Sequence, residues 1–120
     1  MTRKPRTTLA SLRRDLRRFA DARDWQQFHT PKNLAMALSV EAAELLECFQ
    51  WLTPEQSARL ATGDRRAVEE EVADVLLYLL RLSDVLDIDL LQAAQRKMAL
   101  NGRKYPVSLS RGSARKYSRR

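Results

Sequence analysis

Apolar residues recur at intervals of three and four along several stretches of this chain, and this spacing is typical of amphipathic helices. In the first stretch, Leu9, Leu12, Leu16 and Phe19 form the apolar stripe, with arginines at positions between them. The 120 residues include only three glycines and four prolines, so little in the chain breaks such helices. The sequence therefore predicts an all-α fold.

Four helices are expected, and their ends are marked by capping residues. The predicted spans are about residues 8–23, 31–52 and 66–86, and then from a cap at Asp87 or Asp89 to Leu100. The third helix is expected to bury its apolar positions, which are Val68, Val72, Val75, Leu76, Leu79 and Leu82.

The connections between these helices carry turn-forming residues. Thr30 is the expected N-cap of the second helix, with Pro31 as its first residue. A short helical turn is expected after Thr53, and Gly63 is expected to interrupt the polar stretch that follows. Asn101-Gly102 is a common helix stop, so the fourth helix is expected to end there.

The charge is divided unevenly along the chain. Residues 1–18 carry a net charge of +6, residues 103–120 carry +7, and the segment between them carries −6. We expect a basic N-terminal tail over residues 1–8, a helical domain over 9–102, and a basic C-terminal arm over 103–120 that is extended and lacks its own core. Basic ends attract polyanions, whereas an acidic body attracts metal cations.

The sequence carries no sign of export or of a membrane span. Its basic N-terminal residues lack an apolar h-region, and no stretch of 18 apolar residues occurs. Its one cysteine, Cys48, excludes an internal disulfide. These features predict a cytoplasmic protein.

Carboxylates are spaced three residues apart on both central helices. They are Glu41, Glu44 and Glu47 on the second helix, and Glu71 and Asp74 on the third. Like charges at this spacing repel each other, whereas a divalent cation that prefers oxygen ligands converts the repulsion into binding. If the four residues Glu41, Glu44, Glu71 and Asp74 face one another, they form a Mg²⁺ site that is open to a phosphate ligand.

Two other interpretations of these carboxylates are a solvated acidic face and a di-iron site. A solvated face explains any single glutamate better, and it is preferred for Glu69 and Glu70. Asp74, however, precedes an apolar run that only Tyr78 relieves, so it should be partly buried and need a partner. A di-iron bundle normally uses Glu-x-x-His pairs, and the only histidine, His29, precedes both helices.

Several blocks of the sequence form a recognisable set. They are Asp24-Trp25-x-Gln27-Phe28-His29-x-Pro31-x-Asn33-Leu34, Glu41-x-x-Glu44, Glu47-x-Phe49-Gln50-Trp51, Glu70-Glu71-x-x-Asp74-Val75-Leu76-x-Tyr78-Leu79, Lys97-Met98-x-x-Asn101-x-x-x-Tyr105-Pro106-Val107 and Leu109-Ser110-Arg111-Gly112-Ser113-Ala114-x-Lys116-Tyr117. These blocks resemble the all-α NTP pyrophosphohydrolases, which form the MazG-like and dimeric-dUTPase-like superfamily, and in particular its dCTP pyrophosphatase branch. The resemblance extends from about Leu12 to Tyr117.

The resemblance implies a four-helix MazG-like bundle protomer that assembles into a homo-oligomer, a dimer or a tetramer. It implies Mg²⁺, with Mn²⁺ as a possible substitute, on Glu41, Glu44, Glu71 and Asp74. It also implies a base pocket that a neighbouring subunit partly completes. The pocket residues would be Trp25, His29, Trp51 and Tyr78. One departure is Leu16, which stands where the eukaryotic branch has a histidine, and its effect would be looser discrimination among pyrimidines.

The implied activity is hydrolysis of a deoxynucleoside triphosphate, first dCTP or a modified dCTP, to the monophosphate and pyrophosphate, as a house-cleaning step on the nucleotide pool. Glu47 would orient the attacking water or act as general base, or else be an exposed carboxylate or one that supports the metal ligands without touching the metal. Lys97 and Asn101 would contact the β- and γ-phosphates, and Tyr105 is a further candidate for substrate binding.

Two other functions stay open at this stage. One is a broad-specificity NTP pyrophosphatase, and the other is a non-catalytic helical adaptor or nucleic-acid-binding protein. A DNA-reading helix needs basic residues, whereas the central helices here are acidic. The basic ends therefore predict at most weak, salt-sensitive binding of nucleic acid.

Overall fold

Regular structure is helical throughout the part of the chain that the computed structural model describes, which is Lys4 and residues 6–119. Six α-helices occur in it: α1 (Leu9–Ala22), α2 (Pro31–Glu47), α3 (Pro54–Ser57), α4 (Thr62–Val85), α5 (Leu90–Lys104) and α6 (Val107–Ser110), followed by a 3₁₀ turn at Tyr117–Arg119. The all-α prediction is confirmed. None of the described helices combines the length and apolar character that a membrane span requires.

The described residues form two compact units, one that ends at Asp87 and one that begins at Ile88. Helices α1 to α4 belong to the first unit, and α5, α6 and the 3₁₀ turn belong to the second. The boundaries predicted at residues 8 and 102 remain a prediction.

Threonine side chains begin three of the helices. The Thr8 hydroxyl accepts a hydrogen bond from the Ser11 backbone N–H at 3.0 Å, and the Ser11 hydroxyl accepts one from the Thr8 N–H at 2.8 Å. Thr30 caps α2 ahead of Pro31, as predicted, and Thr53 caps the short helix α3. These hydroxyls satisfy backbone N–H groups that have no partner inside the helix.

Two predicted helix ends lie elsewhere. Helix α2 ends at Glu47 instead of Leu52, because the chain tightens there into turns whose N–H groups bond three residues back. Helix α5 continues through Asn101-Gly102 and ends at Lys104. Arg103 and Lys104 lie in its last turn, where positive charge interacts favourably with the C-terminal carbonyl groups. The predicted stop at Asn101-Gly102 was therefore wrong.

Two further expectations about turns need correction. Gly63 does not break the structure before the helix but lies within the first turn of α4, which begins at Thr62 instead of near residue 66. Asp64 also lies in this first turn, where negative charge is favourable. The C-terminal arm is not extended throughout, since it contains α6 and the 3₁₀ turn. In this second unit the rings of Tyr105 and Tyr117 meet edge to face, with centroids 5.8 Å apart.

The first unit is built around α4, which packs against α2 over its larger interface and against α1 over a smaller one. Each of these three helices contributes one fully buried apolar residue, and these are Ala20, Leu34 and Leu80. Asp24 and Asp87 adopt left-handed backbone conformations just after α1 and α4, which aspartate tolerates better than most residues. Both helices can therefore stop sharply and let the chain turn.

The predicted burial of α4 holds only in part for the single chain. Val68, Val75 and Leu82 are half-buried, whereas Val72 is 50% exposed and Leu76 and Leu79 are each 36% exposed. The last three recur at intervals of four and three, so they form one apolar stripe on the outside of α4. Burial in this helix is deepest at Leu80 and at Arg81 and Ser83, which the periodicity did not select.

A buried carboxylate joins α1 to α4. Asp84, with 5% of its side chain exposed, accepts hydrogen bonds from the Nε atoms of Arg13 and Arg17 at 2.9 Å each and from Nη1 of Arg81 at 3.1 Å. The hydrogen bond from Arg17, followed by that from Arg13, lowers the pKa of Asp84 to about 2 despite its burial. Folding therefore stabilises the charged form of this side chain.

We expect Asp84→Asn to lower the free energy of unfolding at neutral pH by about 2 kcal/mol, because the pKa falls from 3.8 to about 2 on folding. A depressed pKa stabilises the fold above the unfolded-state value, so the difference from wild type should shrink as the pH falls from 4 toward 2. Urea denaturation over this pH range measures it.

The matched control is Asp87→Asn, because the Asp87 side chain is fully exposed and lies 3.7 Å from Arg13. Exposed pairs of this kind contribute little, so this variant should unfold like the wild type. Equal losses for the two variants would show that Asp84 does not hold the helices together.

Candidate functional site

Three predicted metal ligands meet where α2 and α4 pack together. Glu41 and Glu44 lie one turn apart on α2, and Glu71 lies on α4. Each of the three offers a carboxylate oxygen, and these oxygens all lie within 4.8 Å of one another. Helix packing, not sequence proximity, brings Glu71 to the other two, and it creates a cluster of like charges.

Two oxygen atoms in this cluster are buried without a partner. Oε2 of Glu41 and Oε2 of Glu71 are inaccessible to solvent and make no hydrogen bond in the structure. A buried polar atom without a hydrogen bond destabilises a fold, and a buried charge does so more strongly. Since the rest of both side chains is half-buried, neither oxygen can regain its hydration where it lies.

The cluster shifts the titration of its own members. Burial, then the hydrogen bond and the charge of Glu44, raise the pKa of Glu41 to about 7, and the charges of Asp74 and Glu71 add to the effect. Burial and the charge of Glu44 also raise the pKa of Glu71. Burial and like charge therefore oppose the ionisation of Glu41 and Glu71.

This donor set fits a divalent cation that prefers oxygen ligands. All the donors are carboxylate oxygens, two of them have no other partner, and their separation allows one ion to contact several of them. Histidine and cysteine, which softer metals favour, are absent from the cluster.

Asp74, the fourth predicted ligand, connects the cluster to a cavity. It lies one turn after Glu71 on α4, and its charge contributes to the raised pKa of both Glu41 and Glu71. It also lines a cavity of about 180 Å³ within the first unit. The half-buried position predicted for Asp74 is confirmed.

The cavity is mostly apolar and aromatic. Its lining residues are Leu16, Phe19, Ala20, Trp25, His29, Asp74, Leu77, Tyr78 and Arg81. Trp25 stands edge to face with Phe19 on one side and with His29 on the other, at centroid distances of 5.7 and 5.9 Å. Three of the four predicted base-pocket residues therefore share one cavity, and they are Trp25, His29 and Tyr78.

The fourth, Trp51, does not line this cavity. It lies beyond the end of α2, and 86% of its surface is exposed on the single chain. The sequence predicts a second helix that runs to residue 52 and so includes Trp51, but α2 ends at Glu47. A tryptophan this exposed leaves most of its ring free for contact with another molecule.

The remaining predicted site residues lie on exposed surface. Glu47 is the last residue of α2, one turn beyond Glu44. Lys97 and Asn101 are exposed and lie one turn apart on one face of α5 in the second unit. Tyr105 follows α5 and is 37% exposed.

Arg81 is a cavity residue that was not predicted from the sequence. Its side chain is 8% exposed, it lines the cavity, and its Nε donates a hydrogen bond to Nδ1 of His29 at 3.0 Å. Burial, followed by the positive charge of Arg81, lowers the pKa of His29. Its position between Leu80 and Leu82 could have indicated this, because a charged residue buried in an apolar run needs a partner, as Asp74 does.

In metal-free protein, we expect Glu41→Gln to raise the melting temperature at alkaline pH, because it removes a charge that its neighbours repel. A raised pKa means that ionisation opposes folding, so the wild type should lose stability as the pH rises from 4.5 through 7. The variant should lose less over the same range. Thermal melts in EDTA measure both effects.

Mg²⁺ should raise the melting temperature of the wild type and have less effect on Glu41→Gln. The control is Glu70→Gln, an exposed neighbour on α4 outside the cluster, which should follow the wild type in both experiments. A lower melting temperature for Glu41→Gln in EDTA would contradict the repulsion that this geometry implies.

Comparisons with known proteins agree on the family. The model of the MazG-like family matches residues 36–119, which include the carboxylate cluster and all of α4 and α5. The chain is 48% identical over 113 residues to dCTP pyrophosphatase 1 of Bos taurus, which covers 92% of this chain and 67% of that protein. It is 44% identical over 116 residues to dCTP pyrophosphatase 1 of Homo sapiens, which covers 95% and 68%.

A solved structure shows the same fold. The crystal structure of a pyrophosphatase from Archaeoglobus fulgidus superposes with a TM-score of 0.78 at 45% sequence identity, and the match covers 88% of this chain and 99% of that chain. The family model, the relatives and the solved structure extend over most of the described helices, including the pair that carries the clustered carboxylates. The chain belongs to the MazG-like family.

Proposed function

We propose that this chain is a Mg²⁺-dependent nucleoside triphosphate pyrophosphohydrolase that converts dCTP and modified dCTP to the monophosphate and pyrophosphate. Such an activity removes surplus or damaged nucleotides from the pool, which makes it a house-cleaning enzyme. The relatives named dCTP pyrophosphatase 1 support both the reaction and the substrate.

One observation carries the proposal: Asp74 lines the aromatic cavity and lies one turn after Glu71 of the carboxylate cluster, in which two oxygens have no partner. The cavity offers flat apolar surfaces to a base, and the cluster offers oxygen ligands for the cation that accompanies a triphosphate. A nucleoside triphosphate carries its base at one end and its cation-binding phosphates at the other. A ligand with its base in the cavity would therefore extend its phosphates past Asp74 to the cluster.

Glu41, Glu44, Glu71 and Asp74 would hold Mg²⁺. When bound, the cation neutralises triphosphate charge and makes phosphorus more open to attack. Without it, the cluster would repel the substrate, because both carry negative charge. The metal requirement therefore follows from the same electrostatics that raise the pKa of Glu41 to about 7.

The reaction is attack of water on the α-phosphorus, which breaks the α–β anhydride bond and releases pyrophosphate. We assign Glu47 to this water, either to orient it or to accept its proton on a carboxylate oxygen. Its place one turn beyond Glu44, at the exposed end of α2, leaves it able to reach solvent. Lys97 and Asn101 are our candidates for the β- and γ-phosphates, and Tyr105 is a further substrate contact.

Stacking in the cavity gives affinity without selectivity, because every base has a flat face. Selectivity must come from the size of the cavity and from hydrogen bonds to the edge of the base. Leu16 offers no such bond, so we expect cytosine to lead with thymine and uracil as appreciable secondary bases. Purines should be poor substrates, because two fused rings crowd a slot of pyrimidine size.

We further propose that the enzyme is a homo-oligomer, a dimer or tetramer. Val72, Leu76 and Leu79 form the exposed apolar stripe on α4, while Met36 and Val40, one turn apart on α2, are 51% and 54% exposed. Contiguous apolar surface of this kind favours association. Trp51 would then complete the base pocket of a neighbouring subunit.

Two other points remain predictions from the sequence. The cytoplasm is the proposed compartment. Binding of nucleic acid through the basic ends should be weak and lost as salt rises. In the first unit, Arg13 and Arg17 are already engaged by Asp84 and so are less available to a polyanion.

The proposal is tested by release of pyrophosphate from dCTP, dTTP, dUTP, dATP and dGTP, with and without Mg²⁺. We expect Mg²⁺-dependent release with the highest kcat/KM for dCTP. Glu44→Gln and Asp74→Asn should each reduce the rate by about 100-fold or more while circular dichroism stays helical. Glu70→Gln is the matched control and should keep the wild-type rate.

Different outcomes of this assay would contradict different parts of the proposal. A near-normal rate for Glu44→Gln or Asp74→Asn at saturating Mg²⁺ would remove that residue from the ligand set. Equal kcat/KM values for purines and pyrimidines would identify a broad-specificity pyrophosphatase. Release of phosphate instead of pyrophosphate would show that water does not attack the α-phosphorus.

Light scattering at micromolar concentration should give a mass of at least twice 13.9 kDa. Val72→Glu should lower that mass, because it places a charge in the apolar stripe of α4. Ala67→Glu adds the same charge to an exposed position on another face of α4 and should leave the mass unchanged. A monomeric wild type would refute the oligomer.

A further inference from the structure

Arg81 holds the only histidine of the chain from inside the cavity. Its Nε lies 3.0 Å from Nδ1 of His29, and both residues line the space that the proposed function assigns to the base. We propose that Arg81 is a positioning residue that fixes His29 as the neutral tautomer protonated on Nε2, so that His29 offers one hydrogen-bond donor to the base. The identity of the ligand rests on the proposed function, whereas the tautomer rests on the geometry alone.

The tautomer follows from what each group can donate and accept. An arginine side chain has five N–H donors and no acceptor, so Nδ1 of His29 must be the acceptor of this bond. A neutral imidazole that accepts on Nδ1 carries its proton on Nε2. An imidazolium donates from both nitrogens and would lose the bond, and burial together with the charge of Arg81 already lowers the pKa of His29.

Arg81 can hold His29 in this way because its guanidinium is itself anchored. Its Nη1 donates to Oδ2 of Asp84 at 3.1 Å, and Asp84 is fixed by two further arginines of α1. The planar fork of the guanidinium then sets the direction of the Nε–H. The Trp25 ring meets that of His29 edge to face, with the ring centroids 5.9 Å apart.

A single donor on His29 determines which part of a base it can contact. The Nε2–H can bond to the carbonyl O2 that cytosine, thymine and uracil share, but it cannot accept a bond from the 4-amino group of cytosine. This bond would form equally with cytosine, thymine and uracil, so His29 would not separate cytosine from thymine. Because Leu16 adds no polar contact to the cavity, tolerance among pyrimidines follows from the arrangement of Arg81 and His29.

The first experiment reads the tautomer directly by NMR. In ¹⁵N-labelled protein without a histidine tag, His29 gives the only imidazole signals, and long-range ¹H–¹⁵N correlations identify which nitrogen carries the proton. At slightly alkaline pH we expect Nε2 protonated and Nδ1 unprotonated in the wild type. Protonation on Nδ1, or a cationic ring, would overturn the proposal.

Variants on α4 separate the role of Arg81 from general effects of removing a charge. Arg81→Met should release His29 into a mixture of tautomers, whereas Arg66→Met, at an exposed position of the same helix, should leave the single tautomer of the wild type. A single unchanged tautomer in a folded Arg81→Met would overturn the proposal. If Arg81→Met does not fold, the wild-type spectrum and the His29 variants still decide.

The second experiment tests the donor by conservative replacement in the Mg²⁺-loaded enzyme. A glutamine at position 29 has an amide oxygen for Arg81 and an N–H for the base, whereas a leucine of similar size has neither. We expect His29→Leu to lower kcat/KM for both dCTP and dTTP by about tenfold, mainly through KM, and His29→Gln to recover much of that loss. Equal losses for the two variants would overturn the role of the donor.

The ratio of kcat/KM for dCTP over dTTP gives an independent readout. It should stay near the wild-type value in Arg81→Met and His29→Leu, because the shared carbonyl is the group contacted. A change of tenfold or more in this ratio would show that His29 reads the 4-position instead. Absence of any pyrophosphohydrolase activity would refute the proposed function, while the NMR result would still confirm or refute the tautomer.

Discussion

The buried carboxylate of Asp84 joins α1 to α4 in the first unit. It receives hydrogen bonds from three arginines, two on α1 and one on α4, so a single acidic side chain fixes the position of one helix on another. A buried charge destabilises a fold unless it is paired and hydrogen-bonded, and Asp84 is both. Arg81 donates to Asp84 through Nη1, so its Nε–H is available to His29.

The opposite electrostatic situation occurs on the same helix, roughly 20 Å along its axis. There Glu71 meets Glu41 and Glu44, and two of their oxygens are buried without a partner. Asp84 is stabilised as an anion with a pKa of about 2, whereas Glu41 resists ionisation with a pKa of about 7. Helix α4 thus carries a completed charge network near its C-terminal end and an incomplete one near its middle. The incomplete one is where a cation would bind.

The small core of the single chain has consequences for the site. One apolar residue from each of α1, α2 and α4 is fully buried, whereas whole apolar stripes on α2 and α4 remain exposed. The same two helices carry the carboxylate cluster. Association along those stripes would stiffen the helix pair that holds the ligands, and it would bring an exposed tryptophan to a neighbouring subunit. Stability and site geometry would then depend on the same interface.

The local patterns of the sequence were sufficient for the helices and for the helix faces on which the candidate metal ligands lie. Capping threonines, apolar spacing and carboxylates three apart are properties of short stretches, and a helix converts such spacing directly into a shared face. That is why Thr30, Pro31 and the pairs Glu41–Glu44 and Glu71–Asp74 could be placed from the sequence. The short helix after Thr53 was predicted for the same reason, while the ends of α2 and α5 were misplaced by a few residues.

Helix packing, which local spacing does not encode, sets which of these faces meet and which buried charges find partners. Trp51 lies outside the aromatic cavity because α2 ends before it. Arg81 lines that cavity because its guanidinium donates hydrogen bonds to both Asp84 and His29. Arg81 lies 52 residues from His29, and Asp84 lies 71 from Arg13. No local spacing encodes such contacts, since they depend on how α4 packs against the rest of its unit. Local spacing was enough to predict the helices and the side chains on each face, whereas the packing of α4 sets which carboxylate is neutralised and which oxygens are buried without a partner.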